Sequence, residues 1–296
     1  MNTDKLISCV NKPIYKLFNF YASNIWFSKF KSRNKSIYFS IKKNVDFKGK
    51  HNGETCYIVA SGPSLAKQDL SVLDGKFVFT VNQISRNNQY SAQKFKSTYH
   101  IWSDNRFFDL SEEKEEDMEL LNVIKQTVNP YSSPVCFFKH SMKKTIEKYG
   151  LNDLMDCRYY CERDLFFDGY IKRPNFAKTV PCFSTVVHYA IWLAIYMGFK
   201  TINLLGCDCT SIINTINVKT NTNLNAAEYM YKITENEKKR MSKALNKYDM
   251  LSETFSFYKM LDNYHLLDLY CKKKGVRLVN MTEGGVLDFI ENSKLM

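Results

Sequence analysis

No apolar run in this 296-residue chain approaches the roughly 20 residues that cross a bilayer, so no membrane-spanning helix is expected. There is no Gly-x-x-x-x-Gly-Lys-Ser/Thr loop, the usual backbone cradle for ATP phosphates. No Asp-x-Asp pair occurs, and Asp208-Cys209-Thr210 is not one, so a metal held between two such carboxylates is not expected. The nine cysteines are scattered. Cys157/Cys161 and Cys207/Cys209 lack CxxC spacing, which supports neither a zinc site nor a disulfide framework. No cleavable signal peptide and no internal repeat is visible, and a reducing cytoplasm is the simplest compartment.

What the chain does have is a core. Hydrophobic residues make up 45% and aromatics 15%, which excludes a disordered chain, and the length suits one large α/β domain. The net charge of +12 is uneven: residues 1–50 carry ten Lys and one Arg against Asp4 and Asp46, a net +9. Aromatic residues interleave with this charge (Tyr15, Phe18, Phe20, Tyr21, Trp26, Phe27, Phe30, Tyr38, Phe39). That mixture suits peripheral attachment to an anionic inner-membrane surface, and equally an extension folded back on the domain; its apolar face could also serve a homo-oligomer. Nucleic acid is not the expected partner, because the basic charge lies away from the site-like turns. The division expected is a basic amphipathic extension over 1–50 and a catalytic domain over 51–296.

Along that domain, apolar runs predict strands at 56–60, 77–81, 99–102, 134–138, 201–205 and 276–280. A short polar helix is expected near 66–74, a long buried helix after Ser184 or Thr185 ending at Gly198, and helices over 226–247 and 250–274. The first strands end in polar groups: Ser61-Gly62-Pro63-Ser64, then Asn82-Gln83, then Ser103-Asp104-Asn105. Successive polar strand ends in a βαβ rhythm describe a ligand crevice of an open α/β sheet. Gly62 allows close backbone approach, Pro63 stiffens the turn, and Ser64 offers a hydroxyl and a helix cap. A buried helix start at Ser184-Thr185 aims free N–H groups at an anion, and Asp208 follows Gly206 at another strand end. The acidic cluster from Glu112 to Glu119 reads as a solvated helical face, 150–180 as a lid or an irregular connection, and 209–225 as a flap or an ordinary loop.

Gly-Glu-Thr-Cys-Tyr-Ile-Val-Ala-Ser-Gly-Pro-Ser-Leu (53–65) and Phe-Thr-Val-Asn-Gln (79–83) resemble the opening of two related groups, the MptE-like family and the lipooligosaccharide sialyltransferases. Ser184-Thr185 before an apolar helix, Gly-Phe-Lys (198–200) and Leu-Leu-Gly-Cys-Asp (204–208) are similar to the middle of both. Lys-Lys-Gly-Val-Arg-Leu-Val-Asn-Met-Thr-Glu-Gly-Gly (273–285) resembles the close of the MptE-like group. The likeness spans about residues 50–290.

The resemblance implies a modified Rossmann-like, sialyltransferase-type α/β domain with a mostly parallel sheet that binds a nucleotide-activated donor. Its expected activity is transfer of a sialic or related nonulosonic acid from a CMP-sugar to a glycan hydroxyl in capsule or lipooligosaccharide synthesis. No cofactor is required beyond that donor, with Mg2+ at most a stimulator. Ser61, Gly62, Pro63, Ser64, Asn82, Gln83, Ser184, Thr185, Gly206 and Asp208 would hold the donor. Two departures stand out. Ser61 replaces an Asn of the sialyltransferases, and their catalytic His has no counterpart near Phe255-Ser256-Phe257-Tyr258. The base is therefore sought among Asp104, Tyr258 and His265. Pterin diphosphokinase activity, which names the other group, and a non-catalytic nucleotide-binding scaffold are the alternatives.

Overall fold

The computed structural model describes residues 3–166, 173–210, 212–213, 215–216, 233–245 and 249–295, with backbone alone for 3–10 and 241–245. Most of the 209–225 stretch, the start of the 226–247 helix and the middle of the 150–180 segment lie outside the described residues.

Nine strands form one parallel sheet: β1 Thr55–Val59, β2 Phe77–Val81, β3 Tyr99–Ile101, β4 Val135–Lys139, β5 Asp156–Asp164, β6 Thr179–Pro181, β7 Thr201–Leu205, β8 Arg277–Asn280 and β9 Glu291–Asn292. Their order is β6-β5-β4-β3-β2-β1-β7-β8-β9. β1, β2 and β7 are almost wholly apolar because helices or loops cover both faces, the condition under which all-parallel sheets occur. The architecture is Rossmann-like α/β, as expected.

The helices are α1 Thr3–Phe20, α2 Phe27–Arg33, α3 Lys35–Lys42, α4 Asn88–Ser91, α5 Glu115–Lys125, α6 Lys143–Lys148, α7 Leu151–Leu154, α8 Val186–Met197, α9 Glu235–Leu245 and α10 Met250–Lys274. The connection that positions the site is α8. It carries the chain from the β6 edge back to the centre of the sheet, where β7 pairs with β1. Eleven of its twelve residues are buried, as an all-round apolar helix must be. It ends at Gly198 with φ +93, and α10 packs over it.

On the other face, Phe27, Phe30 and Ile41 of the N-terminal arm enter a core with Trp102, Leu120 and Phe138. The described arm thus folds back on the sheet, against β5. Three local expectations differ from the structure. The stretch after Gly62 forms two 3-10 turns, Pro63–Lys67 and Leu70–Leu73, because Gln68 and Asp69 adopt extended backbone between them. The acidic cluster is a solvated face only in part: Glu112, Glu113 and Glu115 are exposed, whereas Glu116 and Asp117 are buried and pair with Lys239 and Arg240 of α9, and Glu119 pairs with Arg86. The segment 150–180 contributes β5 and β6.

Candidate functional site

From β1 the chain builds outward to β6 on one side, then returns to add β7, β8 and β9 on the other. The two directions diverge between β1 and β7, and a crevice opens there beyond the carboxyl ends of the strands, the usual ligand position in open α/β sheets. It holds a cavity of about 200 Å³ lined by Ser61, Gly62 and Pro63 after β1, Asn82 after β2, Gly206 and Asp208 after β7, and Thr185 at the start of α8. Val81, Val187, Met260 and Tyr264 supply its apolar walls. Asn82 and Thr185 also border a second, more polar cavity of about 470 Å³, with Ser103, Asp104, Asn105, Arg106, Lys139 and Ser184. The larger cavity falls within the ~300–1,000 Å³ of ordinary ligand clefts.

The turn after β1 is tied across the switch point. The Gly62 N–H donates to the Gly206 carbonyl at 2.9 Å, and Ser64 donates to both Asp208 oxygens, from its N–H at 3.1 Å and its hydroxyl at 2.8 Å. Ser64 is therefore not the cap expected of it; Gly62 occupies that position, and Pro63 opens the 3-10 turn. The Asp208 carboxylate pins the turn through Ser64 while also lining the cavity. Gly206, at φ +66, must lack a side chain because a Cβ would lie 2.6 Å from Leu65.

Asn82 sits at φ +50, a left-handed conformation that Asn tolerates better than most residues, and its Oδ1 has no hydrogen-bond partner. That reversal sends Gln83 away from the cleft. Its amide is buried, donating to Glu237 at 2.9 Å and accepting from Arg86 at 2.6 Å, so the expected donor contact is not made.

Thr185 is the N-cap of α8, and its N–H donates to Nδ1 of His188 at 3.3 Å. Burial drives His188 down to about 3, so this imidazole is neutral and lends no charge. The attraction for an anion here comes from the helix start, where N–H groups point outward. Ser184 is anchored by Asn263 of α10 through N–H and hydroxyl, at 3.2 and 3.1 Å.

The three candidate bases separate. Asp104 lines the polar cavity. Burial pushes its carboxyl up, but the hydrogen bonds and charge of Arg106 outweigh this, and the net shift is downward. Tyr258 and His265 do not line either cavity. Met260 and Tyr264 define the cleft face of α10; at ~100° per residue, Tyr258 and His265 both point roughly 120–140° away from it. Tyr258 is exposed, and His265 meets Phe289 edge to face. The residues that sequence reasoning missed are Lys139, Met260 and Tyr264. Lys139 ends a distant strand and is held by Glu162 at 2.8 Å, while the other two read as core. Among the described residues, no group of three His, Cys, Asp or Glu is placed to hold a metal.

Burial raises Asp208 above the usual carboxylate range, against the Ser64 hydrogen bonds. The folded state thus holds this proton more tightly than the unfolded chain. Stability falls as pH rises from about 4 through the raised folded value. Asp208→Asn keeps an acceptor for the Ser64 N–H and removes the charge. The expected result is a variant that gains stability relative to the native protein between pH 4 and pH 7, measured by urea unfolding at both.

A parallel sheet with a two-compartment crevice at its switch point is the arrangement of a Rossmann-like α/β domain whose ligand position lies at the carboxyl ends of the strands. The family model for 6-hydroxymethylpterin diphosphokinase MptE-like proteins matches residues 32–214, and the chain belongs to that family. No curated protein matches it.

Proposed function

We propose that this protein is a glycosyltransferase of surface-polysaccharide or lipooligosaccharide synthesis, taking a sugar from a nucleotide donor, with a CMP-activated nonulosonic acid as the donor of choice. The observation that carries the reading is the division of the cleft. An apolar compartment beside the Gly62 turn suits a base and ribose, and a wider polar one suits a sugar and its acceptor. The start of α8 lies between them, where a phosphate would sit. Both carboxylates of the described cleft are already engaged, Asp208 by Ser64 and Asp104 by Arg106, which favours a leaving group stabilised by N–H and hydroxyl donors.

The step is a displacement at the anomeric carbon. The acceptor oxygen forms the new bond, the bond to the nucleotide phosphate breaks with its electron pair leaving on the phosphate oxygen, and Asp104 takes the acceptor proton. The family description favours a second reading, pyrophosphoryl transfer from ATP to a hydroxymethylpterin, with the apolar compartment holding the pterin.

Isothermal titration with CMP, UDP and ATP–Mg2+, followed by turnover of CMP-sugars against ATP with hydroxymethylpterin, separates the readings. Tight CMP binding with donor consumption is expected. ATP-dependent pterin modification would replace this reading with the second. Nucleotide binding with no turnover of either kind would leave a scaffold.

A further inference from the structure

The N-terminal arm is folded with its oily side outward. Ile14, Leu17, Phe18, Tyr21 and Ile25 recur at the spacing of one helical face, and all are exposed, with Leu17 at 69% and Ile14 at 61%. The adjoining Phe20 is 60% exposed. At Asn19, Ala22 and Ser23 the inward face carries small and polar side chains where an ordinary surface helix would carry large apolar ones. Asn19, only 1% exposed, clamps the backbone of Leu165 with its amide, donating to the carbonyl at 3.1 Å and accepting from the N–H at 2.9 Å. Ser23 and Ala22 complete that side. An amide clamp that commits the polar face to the protein leaves the apolar face fixed toward the outside.

Charge selects what covers this face. Residues 1–50 carry a net +9, and Lys29, Arg33, Lys35 and Lys43 are exposed on the helices and turn that follow the stripe. A second copy of this chain would bring two such basic arms together, whereas anionic lipid headgroups would neutralise them at ~1 kcal/mol per Lys or Arg near the surface. No described helix is long and apolar enough to cross a membrane, so the fit is to a surface.

Position agrees with this. Leu165 directly follows β5, and Trp26 of the arm stacks beneath Arg163 at that strand's carboxyl end. The arm is therefore anchored at the carboxyl end of the strands, the end of the sheet onto which the cleft opens.

We propose that residues 14–25 form an interfacial docking surface for anionic membranes, inserting the Ile14–Ile25 stripe among acyl chains while the neighbouring cations hold the headgroups. This does not depend on which group the cleft transfers.

The test is co-sedimentation of the full chain with vesicles of phosphatidylglycerol and phosphatidylcholine, and of phosphatidylcholine alone. Binding to the mixed vesicles, weakened by salt and much lower on the neutral ones, is expected. Ile14→Glu with Leu17→Glu removes two insertion side chains and should lower vesicle affinity by at least about tenfold, since each buries ~1.5–3 kcal/mol of apolar surface. Both positions are exposed, so the circular dichroism and thermal midpoint should not change. Failure of the native chain to bind anionic vesicles overturns the proposal, as does undiminished binding by the double variant. A native dimer that the same substitutions dissociate, without vesicle binding, would instead assign the stripe to self-association.

Discussion

Gly62→Ala is expected to cost about 1–3 kcal/mol of stability and more than about tenfold in nucleotide affinity. The backbone there, at φ −71 and ψ 155, is open to any residue, so the penalty is steric and not conformational. A Cβ would stand 1.8 Å from Oδ2 of Asp208 and 2.5 Å from the Gly206 carbonyl oxygen. Neither neighbour can retreat cheaply. Asp208 is held by both donors of Ser64, and the Gly206 carbonyl receives the N–H of Gly62 itself. The methyl must push β1 and β7 apart at their carboxyl ends, which is where the cleft is made. Gly75→Ala is the control: its φ of +73 strains an alanine, yet nothing lies within 4 Å and the site is at the other end of β2. That variant should lose stability and keep nucleotide binding. Thermal melts and titration calorimetry on both decide the matter. If Gly62→Ala binds nucleotide like the native chain, the turn is not the floor of the site.

Asp104→Asn should reduce turnover by about 10²–10⁴-fold with nucleotide affinity unchanged, the range for loss of a general base. The pH profile carries more information than the loss itself. Arg106 overcomes the effect of burial and lowers the Asp104 carboxyl, so this base is deprotonated above that value and protonated below it. The acid limb of kcat/KM should then fall below pH ~4, the ordinary carboxylate value. A histidine base would place that limb near pH ~6.5, and a tyrosine base would leave the enzyme rising toward pH ~10. A limb near 6.5 would return the role to an imidazole and remove it from Asp104. Arg106→Met, which frees the carboxylate, should shift the limb upward.

Those bases also show what the sequence could and could not reveal. Strands β1, β2 and β7 were legible because each is a short apolar run closed by Gly, Asn or polar turn residues. The strand ends then placed Gly62, Asn82, Asp104 and Asp208 in one crevice by topology alone. β5 was not legible: Asp-Cys-Arg-Tyr-Tyr-Cys-Glu-Arg-Asp mixes charge into both faces, because its exposed groups serve the arm and Lys139 while Tyr159, Tyr160 and Cys161 face the cores. Gln83 failed for a backbone reason, since the left-handed Asn82 turns the chain before it. Tyr258 and His265 failed for a rotational one. Met260 and Tyr264 carried no polar signal to distinguish a cleft wall from packing.

The tie between Ser64 and Asp208 joins residues 144 apart in the chain. Every strand from β2 to β6 and the whole of α8 must be laid down before β7 can dock beside β1. Such distant pairings are slow to form, because loop-closure entropy is lost before the contact is gained. The crevice thus depends on a contact that is entropically costly to form, and a chain in which β7 has not docked beside β1 presents no site at all. If the cleft takes a nucleotide as proposed, one bridging the β1 and β7 turns would bind only the docked arrangement and favour it by mass action.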